Sequence, residues 1–178
     1  IINSCFNLYF PFEWEAEEGE YDSTLRFIQH IFGKDEIKIN DQLTVPRWEI
    51  GLDYIQLLYK NPQQILPILS LVSEERQTGK STFLKWLNLL FTENMAIVGN
   101  DDLEAQFNAH WASKLIVACD ETKIDKHIVM EKVKSLSTAS NIMMNAKGRD
   151  QVSMEFFAKF ILCSNNEDNF ATIDKEEI

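Results

Sequence analysis

Cysteine is scarce in this 178-residue sequence, which contains only Cys5, Cys119 and Cys163. An odd number of cysteines without metal-ligand spacing argues against both a disulfide scaffold and a structural zinc site. Cys119 and Cys163 lie inside apolar runs, where a buried and reduced thiol is the expected state. This pattern of cysteine use favours an intracellular protein.

Long apolar runs, glycine and proline are also in short supply. No stretch approaches the ~18 consecutive apolar residues that a membrane-spanning helix needs, so such a helix is not expected. The chain has 6 glycines and 4 prolines, with 45% hydrophobic and 25% charged residues. These values argue against a collagen-like or disordered chain and are ordinary for a globular protein.

Basic residues are the third shortage, because 17 Lys and Arg stand against 28 Asp and Glu, for a net charge of -11. Taken alone, this balance argues against a nucleic-acid binder, whose surface usually carries a basic field for the phosphates. The acidic residues, however, crowd the two ends of the chain, whereas the run from Lys132 to Arg149 contains four basic residues and no carboxylate. The charge therefore leaves room for a local basic contact.

The chain divides by pattern into residues 1–64 and residues 65–178. The first part predicts a small helical cap or linker: a helix capped by Asp22 or Ser23 and ended by Gly33, a polar connection with Pro46, and a helix over 49–59. The start of the sequence lacks the features of a signal peptide. We expect the chain to be a piece of a longer protein, truncated at its C-terminus.

From residue 65 onward, short apolar runs alternate with helical patterns, which predicts an α/β domain with a largely parallel central sheet. Helices are predicted after the first run, over 101–110 and over 125–136. A β-hairpin is predicted where two alternating segments flank a turn over 147–150. The predicted strands are Ile68–Val72, Met95–Val98, Leu115–Cys119 and Phe160–Cys163.

The strongest local motif is TGKST, residues Thr78–Thr82, between a predicted buried strand and a helix. In a phosphate loop, backbone N–H groups and the helix N-terminus cradle a polyphosphate. Lys80 then reaches the β and γ phosphates, and the hydroxyl of Ser81 binds Mg²⁺. Glu74 stands where the full motif has its first glycine, so a chance match is the alternative interpretation.

Two further strands end in polar residues. The run LIVACDE ends in Asp120, a candidate Mg²⁺ ligand, and in Glu121, a candidate for orienting or deprotonating the attacking water. The run FILCSNN ends in Asn165, which is suited to contact the γ phosphate or that water. Each motif is weak alone, and its value comes from the order and spacing of the three.

Together these segments resemble the superfamily 3 helicases, which are compact ATPases of the AAA+ type. SEERQTGKSTFLKWL, IVACDE and KFILCSNNE look most like the C-terminal helicase domain of phage, plasmid or poxvirus-type primase-helicases. The resemblance implies a P-loop NTPase fold, a three-layer sandwich with a β-hairpin insertion. It also implies a hexameric ring that hydrolyses ATP and translocates single-stranded DNA during replication, in the cytoplasm of a bacterium or phage-infected host cell.

The resemblance assigns roles to residues that match its motifs. Thr78, Gly79, Lys80, Ser81 and Thr82 would bind ATP, with Ser81 and Asp120 holding Mg²⁺. Lys80, Glu121 and Asn165 would be catalytic, and Lys147 and Arg149 at the hairpin tip would grip the DNA backbone. A primase domain in the same chain would fit the family.

One family element has no match, because no arginine follows Arg149 to serve as the finger supplied to a neighbouring subunit. We therefore expect the isolated chain to be a weak ATPase. Two alternatives remain open on the sequence. One is a non-catalytic scaffold or docking module of a replication protein, and the less favoured one is a small-molecule P-loop kinase.

Overall fold

The computed structural model describes residues 10–15, 17–120 and 127–165. The chain forms two compact units. One consists of Glu13–Gln64, and the other combines the residues that precede it with those from Ile65 onward. Cys5 lies outside the described residues, and so does Asp125, where the helix over 125–136 was predicted to begin.

The unit Glu13–Gln64 contains two helices and a short hairpin. Its elements are α1 (Asp22–Phe32), β1 (Glu36–Asn40), β2 (Leu43–Pro46) and α2 (Arg47–Lys60). The two strands are antiparallel, where the sequence predicted only a polar connection. This prediction was wrong. Ile37 and Ile39 in β1 and Leu43 and Val45 in β2 do alternate with other residues, which is the pattern of a strand, but both strands are short and mostly exposed.

The helix ends in this unit differ in part from the prediction. α1 begins after Tyr21, so Asp22 and Ser23 lie within the first turn, and no side chain caps this helix. The predicted stop at Gly33 is confirmed, with a φ of 87° that favours glycine. α2 was predicted over 49–59. It begins two residues earlier, at Arg47, and ends one residue later, at Lys60.

The larger unit is built on a four-stranded parallel sheet. Its elements are β3 (Leu69–Val72), α3 (Lys80–Phe91), a 3₁₀ turn (Thr92–Asn94), β4 (Met95–Val98), α4 (Asn100–Glu104), α5 (Ala109–Ala112), β5 (Ile116–Cys119), α6 (His127–Ser137), β6 (Asn141–Met144), β7 (Val152–Glu155) and β8 (Lys159–Ser164). The strand order is β3-β8-β5-β4, and all three neighbouring pairs are parallel. The four predicted strands are therefore confirmed.

The two central strands of this sheet are buried on both faces, since every residue of β5 and β8 is buried. Alternate residues of these strands, including Val117, Cys119 and Phe160, join one apolar cluster with Trp111 and Val133. Trp111 lies on α5 and Val133 on α6, so these helices cover that face. Continuous apolar runs are the expected sequence for parallel strands that are covered on both faces.

The segment 101–110 forms two short helices rather than the one helix predicted. α4 ends at Glu104, and α5 begins at Ala109. The carboxylate of Asp102 accepts a hydrogen bond from the N–H of Gly99 at 2.8 Å, which caps α4 at its start. The connection 105–108 is instead held by contacts with the β6–β7 hairpin, which local helical periodicity does not reveal.

The predicted hairpin is confirmed. β6 and β7 pair antiparallel with Ile142 opposite Met154 and Met144 opposite Val152, so these apolar residues share one face. Gly148 in the connecting turn has a φ of 73°, as a glycine turn predicts. Helix α6 buries Val129 and Val133.

A short segment at Phe10–Phe12 belongs to the sheet-bearing unit, although some fifty residues separate it from the rest. The side chain of Asn94, which is buried, accepts from the Phe10 N–H at 3.0 Å and donates to the Phe10 carbonyl at 2.7 Å. Phe12 packs edge-on against Phe91, with ring centroids 5.5 Å apart. These contacts make the unit discontinuous in sequence.

Gly51 provides a test of the packing between α1 and α2. A Cβ atom at this position would lie 2.4 Å from Cγ of Phe32, so the substitution Gly51→Ala forces the ring to move. We expect this variant to lose about 1–3 kcal/mol of stability, although Ala is normally the better helix former. Urea unfolding followed by tryptophan fluorescence measures the loss.

The matched control is Gly19→Ala in the same unit, because a Cβ atom there meets no atom within 4 Å. Its stability should change by less than about 0.5 kcal/mol. Equal stability of the Gly51 variant and the control would contradict the close approach of the two helices.

Candidate functional site at the carboxyl edge of the sheet

The parallel topology brings three chain segments to one edge of the sheet. β8 lies between β3 and β5, with Val72 paired to Ser164 and Cys119 paired to Leu162. Because the carboxyl ends of parallel strands meet at one edge, the residues that follow these strands are neighbours there. The N–H of Ser73, directly after β3, donates to the Ser164 carbonyl at 3.3 Å.

The loop from β3 to α3 uses two left-handed backbone positions before the helix begins. Gly79, the residue before α3, has a φ of 95°, and Gln77 has a φ of 61°. A φ near 95° favours glycine, which has no Cβ to clash with its own backbone. Gly79 therefore turns the loop sharply into the helix that begins at Lys80.

Lys80 is held by hydroxyl groups of its own loop. Its ammonium donates to Oγ of Ser73 and, at 3.1 Å, to Oγ1 of Thr78. The Ser73 hydroxyl also donates to the Glu75 carbonyl at 2.9 Å and lies 3.0 Å from the Thr78 hydroxyl. Among the described residues, the loop thus holds a half-buried cation at the start of α3 through two neutral hydroxyl partners.

Ser81 joins the loop to the acidic strand. Its hydroxyl donates to Oδ1 of Asp120 at 3.0 Å, across 39 positions of sequence. Asp120 directly follows β5, and both side chains are half-buried. The contact places a hydroxyl oxygen and a carboxylate oxygen side by side, and oxygen atoms are the ligands that Mg²⁺ prefers.

The N-terminus of α3 adds a positive potential to this edge. The first N–H groups of any α-helix lack an intrahelical acceptor, and the helix dipole adds partial positive charge there. No side chain caps this end of α3 within the described part of the chain. A loop lysine and a helix N-terminus together form a favourable environment for an anion such as a phosphate.

The other predicted site residues fall in different places. Thr82 is exposed in the first turn of α3. Asn165 is exposed directly after β8, the strand between β3 and β5. Glu121 lies outside the described residues. Glu74, which replaces the first glycine of the motif, is exposed.

Lys147 and Arg149 are not brought to this edge. Both are exposed in the connection of the β6–β7 hairpin, and this hairpin leads into the amino end of β8. The loop before α3 instead follows the carboxyl end of β3. The hairpin and this loop are therefore separate segments, joined to opposite ends of the parallel strands β8 and β3.

Ser73 is a site residue that sequence reasoning missed. Its hydroxyl contacts Lys80 and Thr78, and its N–H contacts β8. The available signal was its place as the first polar residue after a buried strand, at the start of the loop. Such residues are common turn formers, so the position alone did not mark it.

Cys163 on β8 is close enough to the site to sense its charges. The pKa of this thiol is raised to about 12, mainly by burial and also by the Asp120 carboxylate, while Lys80 partly opposes the shift. Cys119 is also buried and its pKa is likewise raised to about 12. Both cysteines are buried, as the apolar runs around them predicted.

The donor set at this edge fits Mg²⁺ bound together with phosphates better than a self-sufficient metal site. Among the described residues, no group of three or more His, Cys, Asp or Glu side chains could hold a metal ion. Mg²⁺ usually takes only one or two protein ligands and completes its shell with phosphate oxygens and water. Ser81 and Asp120 offer that number.

No helix in the described residues is both long and apolar enough to cross a membrane.

The fold and the site together define a mixed α/β protein with a parallel four-stranded sheet and a polar cluster at its carboxyl edge. The chain belongs to a family of unknown function, DUF5906, whose sequence model matches residues 71–177. This match begins within β3 and includes the loop before α3, Asp120, the β6–β7 hairpin and Asn165.

One curated relative is a DNA primase-polymerase of Nitratiruptor phage NrS-1, which is 30% identical to this chain over 93 residues. That alignment covers 49% of this chain and 13% of the phage protein. The chain therefore corresponds to a small part of this relative.

Solved structures of the C-terminal region of the NrS-1 protein share the fold. Two apo structures superpose with TM-scores of 0.70 and 0.69, at 20% and 18% sequence identity. The two superpositions include 89% and 85% of this chain, but only 36% and 35% of the respective solved chains. At this level of identity the comparison supports the architecture alone.

Alkylation of Cys163 tests the packing beneath the site. With a pKa of about 12, only about 10⁻⁴ of the thiol is ionised at pH 8, and the side chain is 1% exposed. Iodoacetamide at pH 8 should therefore modify Cys163 in the folded protein at least about 100-fold more slowly than in urea. Peptide mass spectrometry follows the rate.

The control is a Ser70→Cys variant, because Ser70 is an exposed residue on the neighbouring strand β3. Its thiol should react at nearly the same rate with and without urea. Modification of native Cys163 as fast as the introduced cysteine would contradict its burial.

Proposed function

We propose that this chain is the ATP-binding motor domain of a phage-type replication protein, with a P-loop NTPase fold of the AAA+ kind. In this proposal the chain binds and hydrolyses Mg-ATP and uses the energy to translocate on single-stranded DNA in the cytoplasm of the infected cell. It works as a ring of identical subunits, and a primase domain belongs to the same full-length protein.

The observation that carries the proposal is the hydrogen bond between the hydroxyl of Ser81 and Oδ1 of Asp120, at 3.0 Å. A serine at the start of a helix and an acid at the end of a parallel strand are the two protein ligands that a P-loop site offers to Mg²⁺. Sequence alone gave each residue a role, and the fold places the two side chains in contact.

Lys80 and the turn at Gly79 support the same proposal. In the described part of the chain, the ammonium group at the start of α3 is hydrogen-bonded to two hydroxyl groups, which are neutral partners. A triphosphate bound at the helix N-terminus would accept hydrogen bonds from the N–H groups of the first turn and from Lys80. Thr78 and Thr82 border this position on either side.

The chain's own residues would act by positioning and by charge. Asp120 and Ser81 would hold the metal, and Lys80 would neutralise the β and γ phosphate oxygens. Glu121 would accept the proton of the attacking water, and Asn165 would orient that water from the strand between β3 and β5. The chemistry that Mg²⁺ supplies when bound is neutralisation of the charge on the phosphoryl oxygens.

The hairpin would provide the contact with DNA. Lys147 and Arg149 are exposed in its connection, and both can pair with phosphates of the nucleic-acid backbone. A ring would concentrate several such tips around one channel, which reconciles local DNA binding with the overall charge of -11. We expect the isolated chain to bind DNA weakly.

The comparisons give the biological setting. The relative at 30% identity is named as a DNA primase-polymerase of a phage, and the shared fold belongs to the C-terminal region of the same protein. We infer a role in phage DNA replication from this likeness. The motor activity rests on the site geometry instead.

The exposed Glu74 favours one competing function, a non-catalytic docking module. A carboxylate replaces the glycine that normally allows the loop to approach the phosphates, and it repels them. In that case ATP would not stabilise the folded chain. A ligand that binds only the folded state at 100 times its Kd raises stability by about 2.7 kcal/mol, so a thermal shift separates the two functions.

Lys80→Ala tests the phosphate contact. A hydrogen bond from a charged group contributes about 1.5–3 kcal/mol, so we expect Mg-ATP affinity to fall by about 10- to 100-fold. Isothermal titration calorimetry measures this affinity. The control is Lys85→Ala, because Lys85 is exposed on the same helix and its loss should change the affinity less than about twofold. Unchanged binding by the Lys80 variant would show that the loop does not hold phosphate.

A double-mutant cycle with Ser81→Ala and Asp120→Asn tests the metal site. Each variant should weaken nucleotide binding in the presence of Mg²⁺ and have less effect in EDTA, since each removes a proposed metal ligand. Their combined loss should be smaller than the sum, because the two side chains serve one ion.

Asp101→Asn is the control for the loss of a negative charge, because Asp101 is exposed on α4. This substitution should leave the Mg²⁺ dependence of nucleotide binding unchanged. Strictly additive losses, equal with and without Mg²⁺, would argue that Ser81 and Asp120 do not share a metal.

A further inference from the structure

The β6–β7 hairpin is anchored to the connection between α4 and α5 through Asn145, a buried polar residue that directly follows β6. Its N–H donates to Oδ1 of Asn108 at 2.7 Å. Its carbonyl accepts from the N–H of Asn108 at 3.1 Å and from the N–H of Ala109 at 3.3 Å. The backbone of the hairpin thus meets the start of α5.

The side-chain amides of the two asparagines complete the junction. Nδ2 of Asn145 donates to the carbonyl of Gln106 at 3.0 Å, and Nδ2 of Asn108 donates to the carbonyl of Met143 at 2.9 Å. Each asparagine therefore uses its side chain to contact the backbone of the other segment. We call this set of contacts between Asn108 and Asn145 the asparagine clamp.

The clamp matters because a two-stranded hairpin is marginally stable by itself. At its base, the hairpin is joined to the core by the buried Phe156, whose N–H donates to the Ser140 carbonyl at 2.9 Å. The clamp acts near the other end, two residues before Lys147. Beyond it, the turn carries one backbone hydrogen bond, from the Arg149 N–H to the Ala146 carbonyl at 3.2 Å.

We infer that Asn108 and Asn145 are positioning residues that hold the hairpin tip fixed on the domain, so that Lys147 and Arg149 are preorganised for the phosphate backbone of single-stranded DNA. The inference rests on the proposed function for its ligand. Without the clamp the tip would have to be ordered on binding, and that ordering lowers affinity.

Two measurements on the 178-residue chain test the inference. The first is hydrogen exchange of the Asn145 and Arg149 amides, observed by NMR. Asn108→Ala removes the acceptor of the Asn145 N–H, so its exchange should become roughly tenfold faster. Asn145→Ala should accelerate exchange at Arg149 in the tip. The thermal unfolding midpoint should fall by no more than a few degrees, as the loss of one or two hydrogen bonds predicts, and the Mg-ATP affinity should be retained.

The second measurement is fluorescence anisotropy with a labelled oligothymidine of about twenty nucleotides. Asn108→Ala and Asn145→Ala should each weaken its binding by about five- to tenfold. Because the clamp acts through the tip, Lys147→Ala should cost less affinity in the Asn145→Ala background than in the wild type. A general loss of stability would instead leave the two effects additive.

Asn141→Ala is the matched control, since Asn141 is an exposed asparagine at the start of the same strand. It should alter neither exchange at the tip nor DNA affinity. Unchanged exchange in the clamp variants would overturn the inference whatever the function of the domain. Because the isolated chain is expected to bind DNA weakly, the titration is made at low ionic strength, where phosphate contacts are strongest. Absence of oligothymidine binding by the wild-type chain under this condition would mean that the DNA part of the proposed function has failed, and the positioning role would fail with it.

Discussion

The hydrogen bond between Ser81 and Asp120 depends on one constraint, the parallel pairing of β3, β8 and β5. Parallel pairing brings the carboxyl ends of these strands to a single edge, where the loop at Ser73, the acid and Asn165 meet as neighbours. The buried core of β5 and β8 fixes that edge, because each strand is covered on both faces. The polar cluster therefore follows from the apolar interior, and a slip in strand register would separate its members.

The sequence predicted the parts of the fold that are strongly apolar. The runs at β5 and β8 were identified because strands buried on both faces have few polar interruptions. The edge strands β3 and β4 were identified as short apolar runs between helical patterns. The β6–β7 hairpin was identified by its alternation and by Gly148 in the turn. At the site, the motif around Lys80 and the acid at Asp120 were recognisable because phosphate chemistry restricts residue type and spacing. Their contact with each other required the strand order, which no local pattern encodes.

The β1–β2 hairpin was missed although Ile37 and Ile39 alternate with polar residues, because its strands are short and mostly exposed. Other features were not predictable because tertiary contacts decide them. The helix predicted over 101–110 is broken where Asn145 binds the connection at Gln106 and Asn108. Lys159 is 3% exposed at the start of β8, where burial lowers its pKa to about 8, although a lysine normally indicates a surface position. In these two cases contacts that are distant in sequence override the local preference.

The central claim is that the carboxyl edge of the parallel sheet binds a nucleoside triphosphate with Mg²⁺. The most direct measurement is a crystal structure with a non-hydrolysable ATP analogue and Mn²⁺, whose position is given by its anomalous signal. The account predicts a metal ion at about 2.1 Å from Oγ of Ser81, next to Asp120, with the β and γ phosphates against Lys80. Binding of the triphosphate at another surface, or none at a saturating concentration of the analogue, would contradict it.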